Sequence, residues 1–236
     1  ASRILGSARD MLLSRILGAG ASPDAWQLAF QLPNIFRRLF AEGAFAAAFI
    51  PLFNQRMTKE GDHSEARAFA DAVLAVLIPI LIVFSALLLI VMPWVMGLFA
   101  SDALQSDGKT FDLAVLMARI AFPYLAFMSV ATLFAAILNS LSRFAAAAAA
   151  PILLNLCLIG ALLTGLFTGD GGEAAKAATG LYLAIAVSLS GLFQLGWLFF
   201  WVRRSGFRPA LGRPRLSADV REMGVLILPA VFGAGV

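Results

Sequence analysis

The sequence has one cysteine and one histidine in 236 residues, and only 14% of its residues are charged. One cysteine excludes a disulfide-stapled domain. One histidine beside it leaves almost nothing from which to build a His/Cys metal centre. No nucleotide-binding motif is present, so ATP is not implied and no cofactor is expected. What the chain has instead is apolar. It is 61% hydrophobic with a mean hydropathy of +0.87, where soluble domains run at about 45–50% apolar and about 25% charged. That excess does not fit inside one core of this size, and it excludes disorder as well. A polytopic membrane protein remains.

In hydrocarbon only helices or closed barrels satisfy their backbone groups. A barrel shows short segments alternating apolar and polar residues; here the apolar runs are long and continuous. The fold class predicted is therefore all-α, a transmembrane bundle of six spans plus the start of a seventh. The segments are roughly 2–17, 24–53, 68–99, 111–138, 145–167 and 178–202, with a seventh from Met223. The organisation expected is a transmembrane lobe over 1–202, a basic loop over 203–222 and a truncated helix over 223–236. The absence of an initiating Met and the abrupt apolar end suggest a piece of a longer protein.

Loop charge gives the orientation. Arg56, Lys59, Arg67, Arg143, Arg203, Arg204, Arg208, Arg213, Arg215 and Arg221 fall on alternate loops, ten on one side. The other side carries two, Lys109 and Lys176, with Asp102, Asp107 and Asp170. The positive-inside rule places the basic loops and the N-terminus in the cytoplasm. The net charge of +4 is mostly this signal. A basic run beside a membrane helix is expected to meet anionic lipid headgroups, and no nucleic-acid partner is needed to explain it.

The remaining charges are concentrated in the first two segments: Arg3, Arg9, Asp10, Arg15, Asp24, Arg37, Arg38 and Glu42. A central Arg or Asp costs roughly 2.5–3.5 kcal/mol on insertion scales. Snorkelling serves Arg15, and Arg119 in a later segment, but not Arg9 or Arg37, which sit well inside their segments. A polar cavity lined by the first two helices is the cheaper arrangement. At roughly 100° per residue, with Gln27 at zero, Asp24 falls at about +60°, Gln31 at about +40°, Asn34 at about −20°, Arg38 at about +20° and Glu42 at about +60°. These six residues share one arc, a polar stripe on an otherwise apolar helix. Arginine at such a wall offers a planar fork to phosphate, so the substrate class expected has a phosphate head and an apolar tail.

Structural readings stand beside the functional ones. Arg38 and Glu42 are spaced for an ion pair. Asp24 follows Pro23 where a helix cap belongs. Arg9 and Asp10 can pair with each other. His63 reads as a solvated loop residue, Cys157 as a packing residue, and the alanine run 145–150 as a close helix approach.

Several stretches resemble the MurJ/MviN family of lipid II flippases. They are Ser2-Arg3-Ile4-Leu5-Gly6, Arg9-Asp10, Phe30-Gln31-Leu32-Pro33-Asn34 and Arg37-Arg38-Leu39-Phe40-Ala41-Glu42-Gly43-Ala44-Phe45. Phe122-Pro123-Tyr124, Ala136-Ile137-Leu138-Asn139, Arg143-Phe144, Ala150-Pro151 and Leu154-Asn155 match in character. The resemblance implies two helical lobes around a cationic cavity. It implies transport of an undecaprenyl-diphosphate-linked precursor across the bacterial inner membrane by alternating access, and not enzymatic chemistry. Its implied partners are that lipid, membrane lipids and cell-wall synthesis proteins. Carried over by motif, the substrate-binding positions are Arg3, Arg9, Asp10, Asp24, Asn34, Arg37 and Glu42, to which the stripe adds Arg38. The rivals are a sibling exporter of lipid-linked oligosaccharides or drugs, and a membrane enzyme acting on lipid phosphates. The second would need a cluster of His, Asp or Ser near one interface.

Overall fold

The computed structural model describes the chain except residues 1, 19, 37–43, 58–62, 170, 215–216 and 234–236. For residues 2, 21, 36, 44, 103, 219 and 227–233 it describes the backbone alone. The described residues form helices and connecting turns, with no strand among them. In order these are α1 (Ser2–Leu17), α2 (Ala21–Phe36), α3 (Ala44–Gln55), α4 (Ser64–Phe99), α5 (Asp102–Ser106), α6 (Gly108–Ala121), α7 (Pro123–Ser140), α8 (Phe144–Thr168), α9 (Glu173–Arg204) and α10 (Ala218–Gly233).

Four stretches are long and apolar enough to cross a membrane: Ser64–Phe99, Gly108–Ser140, Phe144–Thr168 and Glu173–Arg204. At about 1.5 Å per residue even the shortest exceeds the roughly 30 Å hydrocarbon core. On α4, Ile80, Ile82, Val83, Leu87, Ile90 and Trp94 are all exposed, as lipid contact requires.

Boundaries differ from the sequence reading where local chemistry intervenes. The expected second segment starts earlier, at Ala21. Pro23 lies in its first turn, where a missing N–H costs nothing. That segment is described as α2 and α3, with 37–43 between them outside the described residues. The fourth segment is interrupted at Phe122, because Pro123 has no N–H to give. Phe122 itself keeps right-handed helical dihedrals, so α6 and α7 form one span. The short α5 was not expected. Ser101 caps it, its Oγ accepting from the Leu104 N–H at 3.3 Å.

The chain divides into two compact units. The first comprises Ala1–Ile35, Ser85–Leu125 and Ala149–Gln194. It contains the turns after α1, α4 and α8. Arg119 belongs here, exposed on α6 with a main-chain partner on α4. Its Nε donates to the Leu89 carbonyl at 3.0 Å. That carbonyl is available because Pro93, four residues on, has no N–H to bond it. Ser188 Oγ donates to the Ile120 carbonyl in the same unit.

The second unit comprises Phe36–Phe84, Ala126–Ala148 and Leu195–Val236. It contains the turns after α3, α7 and α9. Phe45, Phe49 and Phe53 lie one helical turn apart and stack in sequence, with Phe69 on Phe49 and Phe207 against Phe53. Arg56 lies 4.5 Å from the Phe69 ring centre and 3.7 Å from Glu222 of α10.

Close approach of α8 and α9 depends on small residues. A Cβ added at Gly165 would stand 2.9 Å from Thr179 Cβ and closer still to its hydroxyl. Thr179 is 1% exposed, and its hydroxyl donates to the Ala175 carbonyl at 2.8 Å, so it cannot retreat. Gly165→Ala is expected to destabilise by about 1–3 kcal/mol. Gly180→Ala meets the flexible end of Met117 and is expected to be milder. Thermal unfolding in detergent checks the order; equal losses would contradict it.

Candidate functional site

α2 presents two different faces. Asp24, Gln27 and Gln31 are exposed, and Asn34 is half-buried. Ser22, Ala25, Trp26, Leu28, Ala29 and Leu32 are buried. On a helical wheel of roughly 100° per residue the first group occupies one arc and the second the rest. The polar stripe thus appears as read from spacing, as far as the described residues extend. Asp24 is not an N-cap. It lies inside the first turn, its N–H donating to the Gly20 carbonyl at 3.3 Å. A carboxylate there also complements the positive end of the helix dipole.

Asp24, Gln27 and Gln31 open onto a cavity of about 520 Å³ within the first unit. Its other walls come from the turn at Gly20, from Phe99 at the end of α4, and from Ser101, Leu104, Asp107 and Thr110 around α5 and α6. Asp107 accepts a hydrogen bond from the Thr110 hydroxyl, and chiefly for that reason its carboxyl is held below the ordinary aspartate value. It therefore stays ionised well into mildly acidic solution. None of the described lining residues is basic. This cavity offers carboxylates, amides and hydroxyls, and is not itself the cationic wall expected from sequence. Leu28, buried beside the stripe, also lines it.

The arginine chemistry lies on α1. Arg9 Nε and Nη2 donate to Asp10 Oδ1 at 2.9 and 2.7 Å, and Nη1 donates to Asn155 Oδ1 of α8 at 3.1 Å. Asn155 is buried, and its own Nδ2 donates to the Pro151 carbonyl at 3.2 Å. Arg9 keeps 24% of its side chain exposed, and Asp10 keeps 65%. The guanidinium is thus fixed by two partners with N–H groups to spare among the described residues. Arg3 is exposed on α1 and Arg15 is exposed in its last turn.

The structure brings Asp24 together with Gln27 and Gln31, and Arg9 together with Asp10 and Asn155. Arg9 is not among the residues lining the Asp24 cavity. Arg37, Arg38 and Glu42 lie outside the described residues. Asn155, Ser101, Asp107 and Thr110 were not among the predicted site residues. Asn155 had a signal, as a lone amide in a long apolar run; the others sit in a polar loop where spacing carries none. Among the described residues no cluster of His, Cys, Asp and Glu could hold a metal.

A helical bundle with membrane-length spans, one polar helix face on a cavity and a fixed arginine on the preceding helix defines a multi-pass membrane protein with a polar interior. The chain belongs to the family described as lipid II flippase MurJ, which matches residues 13–236. It is therefore a multi-pass protein of the bacterial inner membrane. It is 40% identical over 235 residues to a probable lipid II flippase MurJ of Rhizobium meliloti, covering all of this chain and 43% of the relative. It is 38% identical to a probable lipid II flippase MurJ of Rhizobium tropici, again over all of this chain and 43% of the relative. A lipid II flippase MurJ of Burkholderia cenocepacia is 36% identical, with 45% of its length covered. A solved lipid II flippase MurJ in an inward closed conformation superposes with a TM-score of 0.70 at 20% identity, over 99% of this chain and 45% of that one. That likeness establishes the shared fold. The chain spans less than half the length of these relatives.

Proposed function

We propose that this chain forms the N-terminal part of a lipid II flippase, moving an undecaprenyl-diphosphate-linked precursor across the inner membrane by alternating access. Family membership supports the substrate. The observation that carries the reading is the α2 face, where Asp24, Gln27 and Gln31 line a cavity while Ala25, Trp26, Ala29 and Leu32 on the other face are buried. Facing lipid, each of these groups would lose water without gaining a partner.

The roles divide by charge. Arg9, fixed by Asp10 and Asn155, supplies forked donors to a diphosphate, with Arg3, Arg37 and Arg38 as further cations. Asp24, Asn34, Gln27 and Gln31 suit the hydroxyl and amide groups of a glycopeptide head. Asp24, Asp10 and Glu42 limit the net positive charge, so that the bound anion can leave again; transport requires binding that is not too tight. The excess of basic residues on alternate loops supports the alternation of loops and a cytoplasmic N-terminus. Six spans and the start of a seventh are the count this reading takes, with cell-wall synthesis proteins as neighbours.

The test is translocation by the full-length protein in sealed vesicles. A fluorescent lipid-linked peptidoglycan precursor added to one leaflet should become inaccessible to a membrane-impermeant quencher. Translocation of a lipid-linked O-antigen unit or a drug, with none of the peptidoglycan precursor, would assign the chain to a sibling exporter instead.

A further inference from the structure

A second polar cavity, of about 340 Å³, lies in the second unit where the start of α4 meets the turn after α9. Its polar lining is His63, Ser64, Arg67 and Ser205, and its apolar lining is Leu141 and Phe207. No acidic residue is among the described lining. His63 lies in the loop before α4, as expected from sequence, but is half-buried and not fully solvated. Its Nδ1 is buried with no hydrogen-bond partner among the described residues. A buried ring nitrogen left unpaired costs roughly 1–3 kcal/mol unless something meets it.

Arg67 is held ready beside it. Its Nη2 donates to the Gly206 carbonyl at 3.2 Å, and its guanidinium lies 5.6 Å from the centre of the Phe207 ring. Gly206 adopts φ +87°, a left-handed turn that a side chain would strain. Along α4, Glu65 lies two residues before Arg67 and Asp71 four after; Asp71 accepts from the Ala210 N–H at 2.8 Å and also feels the Arg67 charge. Beyond the Gly206 carbonyl, the Arg67 side chain has no further hydrogen-bond partner among the described residues. His63 stands at the N-cap of α4, its carbonyl accepting from the Arg67 N–H at 2.9 Å. The N–H groups of Glu65 and Ala66 therefore precede the helix's own hydrogen-bond ladder.

We propose that this cavity binds a phosphate group, whose oxygens accept from the His63 imidazole and the Arg67 guanidinium. The complement of a partnerless imidazole nitrogen, a pre-oriented guanidinium and a helix N-terminus is an anion with several acceptor oxygens. The volume equals about eleven waters at ~30 Å³ each, room for a phosphate with its substituents. The source is a phospholipid headgroup or free phosphate, and the site stands whether or not the chain moves lipid II.

The experiment uses the full-length protein, purified in a sugar-headed detergent without phosphate. Native mass spectrometry follows binding of phosphatidylglycerol, and titration calorimetry follows inorganic phosphate. Wild-type protein is expected to retain phosphatidylglycerol, and Arg67→Gln to weaken retention by about tenfold or more, the effect of losing a charge-assisted bond. His63→Gln should weaken it less, and Arg67→Lys should fall between wild type and Arg67→Gln. Arg213→Gln, which removes a charge from the same loop outside this cavity, should stay within about twofold. Inorganic phosphate that binds and displaces the lipid makes free phosphate a ligand; lipid retained against it makes the headgroup the ligand. Either supports the site. If neither probe binds, or if Arg213→Gln weakens binding as much as Arg67→Gln, the proposal fails. Thermal unfolding of each variant separates loss of the site from loss of the fold.

Discussion

Arg9→Ala, placed in the full-length protein, should fail to restore growth to a flippase-depleted strain while accumulating normally in the membrane. Arg9 cannot snorkel from the middle of α1, and its guanidinium is oriented by Asp10 at 2.7 Å and Asn155 at 3.1 Å. Two effects compete when it is removed. The structural one is loss of the bond to buried Asn155, leaving its carbonyl unpaired at a cost of about 1–3 kcal/mol. The functional one is loss of a forked cation for the diphosphate. A second variant separates them. Asn155→Leu breaks the same bond but leaves the charge. If Arg9 serves mainly the substrate, Asn155→Leu should retain partial growth and Arg9→Ala none. Arg9→Lys should fall between them, since it keeps charge without the fork. Arg15→Ala, on an exposed residue in the last turn of α1, should be close to wild type. Normal growth of Arg9→Ala at normal protein level would remove the arginine from the mechanism; equal loss in Asn155→Leu would make its role structural.

Much of this arrangement is legible in the sequence because a bilayer is a demanding solvent. An apolar run in lipid can only be a helix, so α4, α8 and α9 follow from composition and length. The stripe on α2 follows from the helical period: Asp24, Gln27 and Gln31 are three and four residues apart, and a face so polar needs a polar space. What the sequence conceals depends on contacts distant along the chain. The partner of Arg119 is one such case, because nothing local shows that Pro93 frees the Leu89 carbonyl for it. The partial burial of His63 is hidden too, because it shares its cavity with Leu141 and Phe207, far away in sequence. Asn155 lies in a stretch that resembles the family, but its bond to Arg9 spans 146 positions, beyond the reach of any local pattern. The acidic character of the α2 cavity comes partly from Asp107 in the turn before α6, where hydrophobic periodicity is silent.

The central claim is that the polar face of α2 lines a water-filled cavity that receives the substrate head. Thiol accessibility in the full-length protein tests it most directly, in a background with every other cysteine replaced. Cysteines go singly at Gln27 and Gln31 on the polar arc, and at Ala29 and Leu32, which are 0% and 1% exposed on the buried face. A membrane-impermeant thiol reagent should modify the first pair at least an order of magnitude faster than the second. Prior loading with the lipid-linked precursor should protect Gln31→Cys, and modification of Gln31→Cys should block translocation. Reaction at Ala29 and Leu32 with the polar arc inert, or full translocation after Gln31→Cys is modified, would contradict the cavity and the mechanism built on it.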